Sequence, residues 1–181
     1  MLLSMSDITR WKELSRTVFF EKYNRRIDKV IYKLPDGSEA DFYIQDQGPT
    51  VCMLAMTPED HVILVREYRP GPDRIVAELP GGFVNKGEHH LTAAEREFRE
   101  ETGYVGDFEY VGPCLDDAYS TMMRYAYVVK NARKVTVTSD TPTEHTKVTT
   151  MHISEFRKHL RTGMLTDVEI GYLGLDHLGL L

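Results

Sequence analysis

Two apolar runs separated by a short turn signal constrain this chain most. Residues 51–56 read VCMLAM and residues 62–68 read VILVREY, with Thr57-Pro58-Glu59-Asp60 between them. Apolar runs of this length broken by a Pro-containing polar segment read as a pair of strands. Upstream, residues 26–45 read as a hairpin. Val30-Ile31-Tyr32 and Phe42-Tyr43-Ile44 flank Pro35-Asp36-Gly37, where glycine supplies the positive φ of a tight turn. Downstream come a loop at Gly71-Pro72-Asp73, a short strand over 75–79, and a break at Pro80-Gly81-Gly82. Residues 90–102 have helix composition, with Thr92-Ala93-Ala94-Glu95 fitting a capping box at or just after the helix start. Strands are expected over 108–111, 125–129 and 147–153. Helices are expected over 154–160 and 167–177, with Gly163 as a stop between them. Strands surrounding helices without a regular βαβ alternation indicate an α/β fold with a mixed sheet.

At 181 residues the chain has the length of about one domain. Its formal net charge of −6 argues against general binding to a nucleic-acid backbone. A polyanionic ligand would then need a metal ion or a few local arginines. The two cysteines, Cys52 and Cys114, have no CxxC neighbour, which excludes a disulfide scaffold and favours a cytosolic setting. No apolar stretch approaches the roughly 20 residues that span a bilayer. Residues 1–3 are too short for a signal-peptide core. The expectation is a cytoplasmic protein with no nucleic-acid or membrane partner.

The stretch 82–104 carries the chemistry. It runs Gly82, five residues, Glu88, seven residues, then Arg96-Glu97-Phe98-Arg99-Glu100-Glu101-Thr102-Gly103-Tyr104. At 100° per residue, Glu97, Glu100 and Glu101 share one helix face, while Leu91, Ala94 and Phe98 form a neighbouring apolar stripe. Glu95 and Arg99 form an i,i+4 pair on a third, solvent-side face. Like charges at this spacing repel by a few tenths of a kcal/mol per pair, so something should offset them. A cluster of hard oxygen ligands suits Mg²⁺ or Mn²⁺ bridging phosphate oxygens. Arg96 lies one turn before Glu100 and is placed to orient a carboxylate. Pro80-Gly81-Gly82 allows close backbone approach. Gly82 and Gly87 have P-loop spacing, but Glu88-His89 stands where Lys-Ser/Thr is required, and no GxGxxG occurs. His89 and His90 are adjacent, so they do not share a face for zinc and read as a solvated helix start.

This stretch resembles the Nudix box, G-x5-E-x7-R-E-U-x-E-E-x-G-U with U a bulky apolar residue. All seven fixed letters are present, and Phe98 and Tyr104 fill the U places. A chance match is on the order of 10⁻⁷ at ordinary residue frequencies, so the box is specific. Arg66-Glu67-Tyr68-Arg69 and Glu78-Leu79-Pro80-Gly81-Gly82 are similar to the segment before the box in the ADP-ribose and nucleoside-diphosphate-sugar branch. The resemblance implies a Nudix-type α/β/α sandwich with a mixed sheet over 49–181. It also implies extra strands before that core, an N-terminal β-hairpin extension over 1–48. The 26–45 hairpin would leave an unpaired edge in a monomer, so a homodimer is expected whose N-terminal strands cross to the partner and help form the nucleotide pocket.

The resemblance further implies hydrolysis of a nucleoside diphosphate linked to another group, by water attack on phosphorus. Metal ligands would be Glu97, Glu100, Glu101 and the Gly81 carbonyl. Arg96 would hold the helix and Glu88 in place. The general base would be Glu144, with Glu101 or a metal-bound water as alternatives. Arg69 and Glu78 would serve the substrate, Arg69 because a guanidinium fork matches phosphate oxygens. ADP-ribose hydrolases of the family often carry a proline 15–16 residues past the box, where this chain has Tyr119-Ser120. The expected substrates are therefore ADP-ribose together with other nucleoside-diphosphate sugars. Nucleoside triphosphates or dinucleoside polyphosphates, and a non-catalytic binding module, are the competing readings.

Overall fold

The computed structural model describes residues 8–23, 25–136 and 146–181. The chain divides into two compact units. One gathers the chain up to Gly48 with Leu115–Met122, and the other comprises Pro49–Cys114 and Met123–Leu181.

In the first unit, strands β1 (Lys12–Lys22), β2 (Arg25–Lys33) and β3 (Glu39–Gln45) form an antiparallel sheet in that order. The expected hairpin over 26–45 is present as β2–β3, and its turn closes with the Gly37 amide on the Leu34 carbonyl at 3.0 Å. The edges differ from those of the hairpin alone: β1, a strand with no counterpart in the sequence reading, covers β2, so β1 and β3 are the outer strands of this sheet. All eleven residues of β1 are exposed, so it lacks the inward/outward alternation that betrays a half-buried strand. The 115–122 segment joins this unit through Tyr119, whose carbonyl accepts from Gln45 and whose ring stacks on Phe42 at 6.4 Å.

The second unit is built on a seven-stranded mixed sheet. Its strands are β4 (Thr50–Met56), β5 (His61–Arg69), β6 (Arg74–Glu78), β7 (Gly81–Phe83), β8 (Tyr104–Leu115), β9 (Met123–Lys134) and β10 (Lys147–His152). The main path is β10-β5-β4-β9-β8, with β6 on β5 and β7 on β4. The β4–β9 pairing is parallel and β4–β5 is antiparallel. Helix α1 (His90–Thr102) covers one face, while α2 (Ile153–Leu160) and α3 (Val168–His177) cover the other. The VCMLAM run shows why. Cys52, Leu54 and Met56 pack with Phe156, Leu160, Ile170 and Leu175, whereas Val51, Met53 and Ala55 pack with Ala93, Ala94 and Phe98. Alternate residues of a strand point to opposite faces, so a strand buried on both has to be apolar throughout. The result is an α/β/α sandwich.

Local signals account for the ends of α1. Its N-cap is His89, whose Nδ1 accepts from the Leu91 amide, so the capping box at Thr92 is not used. Gly103 ends the helix in the left-handed region at φ 73°, its amide returning to the Arg99 carbonyl. His90 is not solvated as expected. Its ring stacks on Tyr125 at 4.4 Å and its Nδ1 lies 2.5 Å from the Tyr127 hydroxyl, and burial pushes the imidazole pKa down. Among the described residues no helix is long and apolar enough to cross a membrane.

Candidate active site

Helix α1 turns its acidic face toward β7 and the end of β5, over a cavity of about 1320 Å³. Arg96 organises this face. Its Nε and Nη2 donate to the two Glu88 oxygens at 3.0 and 2.9 Å, Nη2 also donates to the Phe83 carbonyl at 3.0 Å, and Nη1 reaches Glu97 at 2.7 Å and Glu100 at 3.4 Å. One guanidinium thus ties the helix to the loop before it. Glu88 also accepts from the Asn85 amide at 2.9 Å. The Arg96 fork, helped by that amide, holds the Glu88 carboxyl down at about 2. Such bonding suits a fixed structural anion better than a proton carrier.

Glu97 and Glu101 rest on the main chain of β7. A Cβ on Gly82 would lie 2.3 Å from the Glu97 carboxyl carbon, so glycine alone leaves room for that carboxylate. Glu101 accepts from the Gly81 amide at 2.9 Å. Burial raises both carboxyls above their ordinary range, Glu101 to about 8, with the Glu97 charge pushing Glu101 further the same way. Arg96 offsets only part of the burial at Glu97, and at Glu101 the Gly81 amide and more distant Arg69 likewise oppose it without reversing it. Two desolvated carboxylates beside a shelf of main chain form a donor set for a hard divalent cation, whose charge would offset their burial. The residues present fit such an ion.

The geometry bears on three expectations. Glu100 is exposed and turned to Arg96, so among the described residues no three acidic, His or Cys side chains converge as a preformed metal cage. Gly81 meets Glu101 through its amide. Glu95 and Arg99 make no ion pair with each other among the described residues, and both line the cavity. Glu144 lies outside the described residues.

The opposite wall comes from the end of β5, which β6 backs by pairing so that Val65 faces Glu78 and Arg69 faces Arg74. Arg69 lines the cavity. Its Nε donates to both Glu78 oxygens at 2.9 and 3.0 Å and its Nη2 to Glu78 at 2.5 Å. Glu78 is 5% exposed, so it holds Arg69 from behind and does not itself face the cavity. Glu67, which the sequence reading left without a role, also lines the cavity and pairs with Arg69 at 3.2 Å. The period-two alternation of β5 was the available signal, because it puts residues 67 and 69 on one face.

The fold and this arrangement define a class: an α/β/α sandwich whose glycine-seated helix presents carboxylates to an arginine across a cavity. Residues 46–166 match the NUDIX domain family model, and the chain belongs to that family. It is 38% identical over 73 residues to the ADP-ribose pyrophosphatase of Bacillus subtilis (strain 168), covering 40% of each chain. It is 35% identical over 79 residues to the methanol dehydrogenase activator of Bacillus methanolicus, covering 44% of this chain and 42% of the relative. The chain therefore spans about two fifths of the length of these curated relatives. The crystal structure of an ADP compounds hydrolase superposes with a TM-score of 0.77 at 17% identity, covering 96% of this chain and 98% of that one, a likeness of fold.

Proposed function

We propose that this protein is a Mg²⁺-dependent hydrolase that cleaves the diphosphate of nucleoside-diphosphate sugars. ADP-ribose is among the substrates, and water attack yields a nucleoside monophosphate and a sugar phosphate. The observation that carries this reading is the pair of half-buried carboxylates, Glu97 and Glu101, seated on the Gly81–Gly82 main chain and faced by Arg69 across one cavity. The name of the Bacillus subtilis relative supports the substrate class. When bound, a divalent cation supplies positive charge to the diphosphate oxygens and acidifies an attacking water.

The chain's own groups do the rest. Glu97 and Glu101 would hold the cation, with Glu100 and the Gly81 carbonyl as further ligands. Arg96 and Glu88 fix the pitch of α1 against the loop. Arg69, braced by Glu78, grips the diphosphate. Glu144 is proposed as the base that takes the proton from water, with Glu101 as the alternative. The test is a panel of ADP-ribose, GDP-mannose, UDP-glucose, a dinucleoside polyphosphate and nucleoside triphosphates, assayed with Mg²⁺ and with Mn²⁺. A triphosphate or dinucleoside polyphosphate favoured more than about tenfold in kcat/KM would overturn the nucleoside-diphosphate-sugar reading.

We also propose a homodimer formed through β1. This strand pairs only with β2 and exposes Leu14, Val18 and Phe20, and a long apolar edge of that kind invites strand pairing with a second copy. A cytoplasmic setting is the corresponding proposal for location, supported by a sequence with two cysteines and no CxxC pair.

A further inference from the structure

A guanidinium has two edges that can each accept a pair of oxygens. In Arg69 both are taken, by carboxylates of different standing. The Nε/Nη2 edge belongs to buried Glu78 through three contacts of 2.5–3.0 Å. The Nη1/Nη2 edge belongs to Glu67, with Oε2 3.2 Å from Nη2 and Oε1 accepting from Nη1 at 3.4 Å. The Glu67 contacts to Arg69 are the longer of the two sets and Glu67 lines the cavity, so its edge is the one a ligand can reach. Two phosphate oxygens would need the positions that the two Glu67 oxygens now occupy.

The cavity wall adds a second reason for a competing carboxylate to matter. Among the described residues Glu67, Glu95, Glu97, Glu100 and Glu101 line it against Arg69, Arg96 and Arg99, so acidic side chains outnumber basic ones by five to three. Arg96 is already committed to Glu88 and Glu97. Arg69 is thus the cation on the β5 wall that a diphosphate can recruit, and only by displacing Glu67.

We propose that Glu67 is a positioning residue that stands in for substrate phosphate on Arg69 and sets the affinity of the site for the diphosphate. This rests on the reading of Arg69 as the diphosphate donor. Glu67 keeps the guanidinium aimed into the cavity and yields its edge when the ligand arrives. Ligands with too little negative charge to displace it are disfavoured.

The test is calorimetric binding of the non-hydrolysable α,β-methylene analogue of ADP-ribose at saturating Mg²⁺. The proteins compared are wild type, Glu67→Gln, Arg69→Ala and the double variant, each checked for folding by thermal melting, with Glu67→Ser as a second removal of the carboxylate. Glu67→Gln should tighten binding about two- to fivefold, the scale of a partly exposed Arg–carboxylate pair. Arg69→Ala should weaken binding, and the gain from Glu67→Gln should vanish in the Arg69→Ala background. Unchanged or weaker binding by both Glu67 variants would overturn the proposal while leaving Arg69 in place. An equal gain with and without Arg69 would reduce Glu67 to a general charge in the cavity. An Arg69→Ala protein that binds like wild type would remove the reading on which the proposal stands.

Discussion

Replacing Glu101 by glutamine should move activity and stability in opposite directions. The Glu101 carboxyl titrates at about 8, against an ordinary value of 4.5, because burial disfavours its charged form. Each unit is worth about 1.4 kcal/mol, so a shift of roughly 3.5 units sets a ceiling near 5 kcal/mol on the cost of keeping the charge in the folded metal-free protein. Glutamine retains an oxygen for the Gly81 amide but gives up the attraction to Arg69, so a gain of about 2 kcal/mol is expected. For a chain of this length that is roughly 4–8 °C in Tm. The pH dependence follows from the raised pKa. The favourable contribution of Glu101 is complete below about 4.5 and is lost as pH rises through about 8. In chelator, Glu101→Gln and wild type should therefore melt together near pH 4.5, and the variant should melt higher at pH 9. Saturating Mg²⁺ should reverse the order, raising wild type and barely moving the variant. Turnover should fall by about 10²-fold or more, since a group close to the reacting phosphorus is lost. A variant that melts at or below wild type at pH 9 in chelator, or that gains as much from Mg²⁺, would refute the reasoning.

Adjacent glycines should respond differently to alanine. A Cβ on Gly82 meets the movable Glu97 carboxylate, so Gly82→Ala should cut kcat with little change in Tm. A Cβ on Gly81 would come within 2.4 Å of the Val51 carbonyl oxygen, so Gly81→Ala should lower Tm as well. Phe98, on the sheet-facing side of α1, is fully buried, and Phe98→Ala should cost about 3–5 kcal/mol in denaturant unfolding. Glu144→Gln should lower kcat by 10²- to 10⁴-fold with metal affinity unchanged if Glu144 is the base, and an effect under about tenfold reassigns that role. In solution the mass should be twice that of one chain, and a concentration-independent monomer would contradict pairing through β1.

Local chemistry made much of this protein legible from its residues alone. The VCMLAM run, the Pro35-Asp36-Gly37 turn and the 90–102 helix each follow from short-range rules of burial, turn geometry and helix composition, and each is found where those rules put it. The spacing of Arg96, Glu97, Glu100 and Glu101 fixed their common face because helical geometry leaves no choice. Tertiary structure decided what those rules cannot reach. It made β1 an outer strand of the sheet, drew residues 115–122 into the first unit, and chose His89 over Thr92 as the cap because His90 gains a stack on Tyr125. It divided Arg69 between Glu78, nine residues away, and Glu67, only two away, so that one carboxylate is buried and the other faces the cavity. Sequence spacing assigned like charges to one face. Only the packing of α1 over Gly81 and Gly82 stripped water from Glu97 and Glu101 while leaving Glu100 exposed, and desolvation is what separates a solvated acidic face from a site that demands a cation.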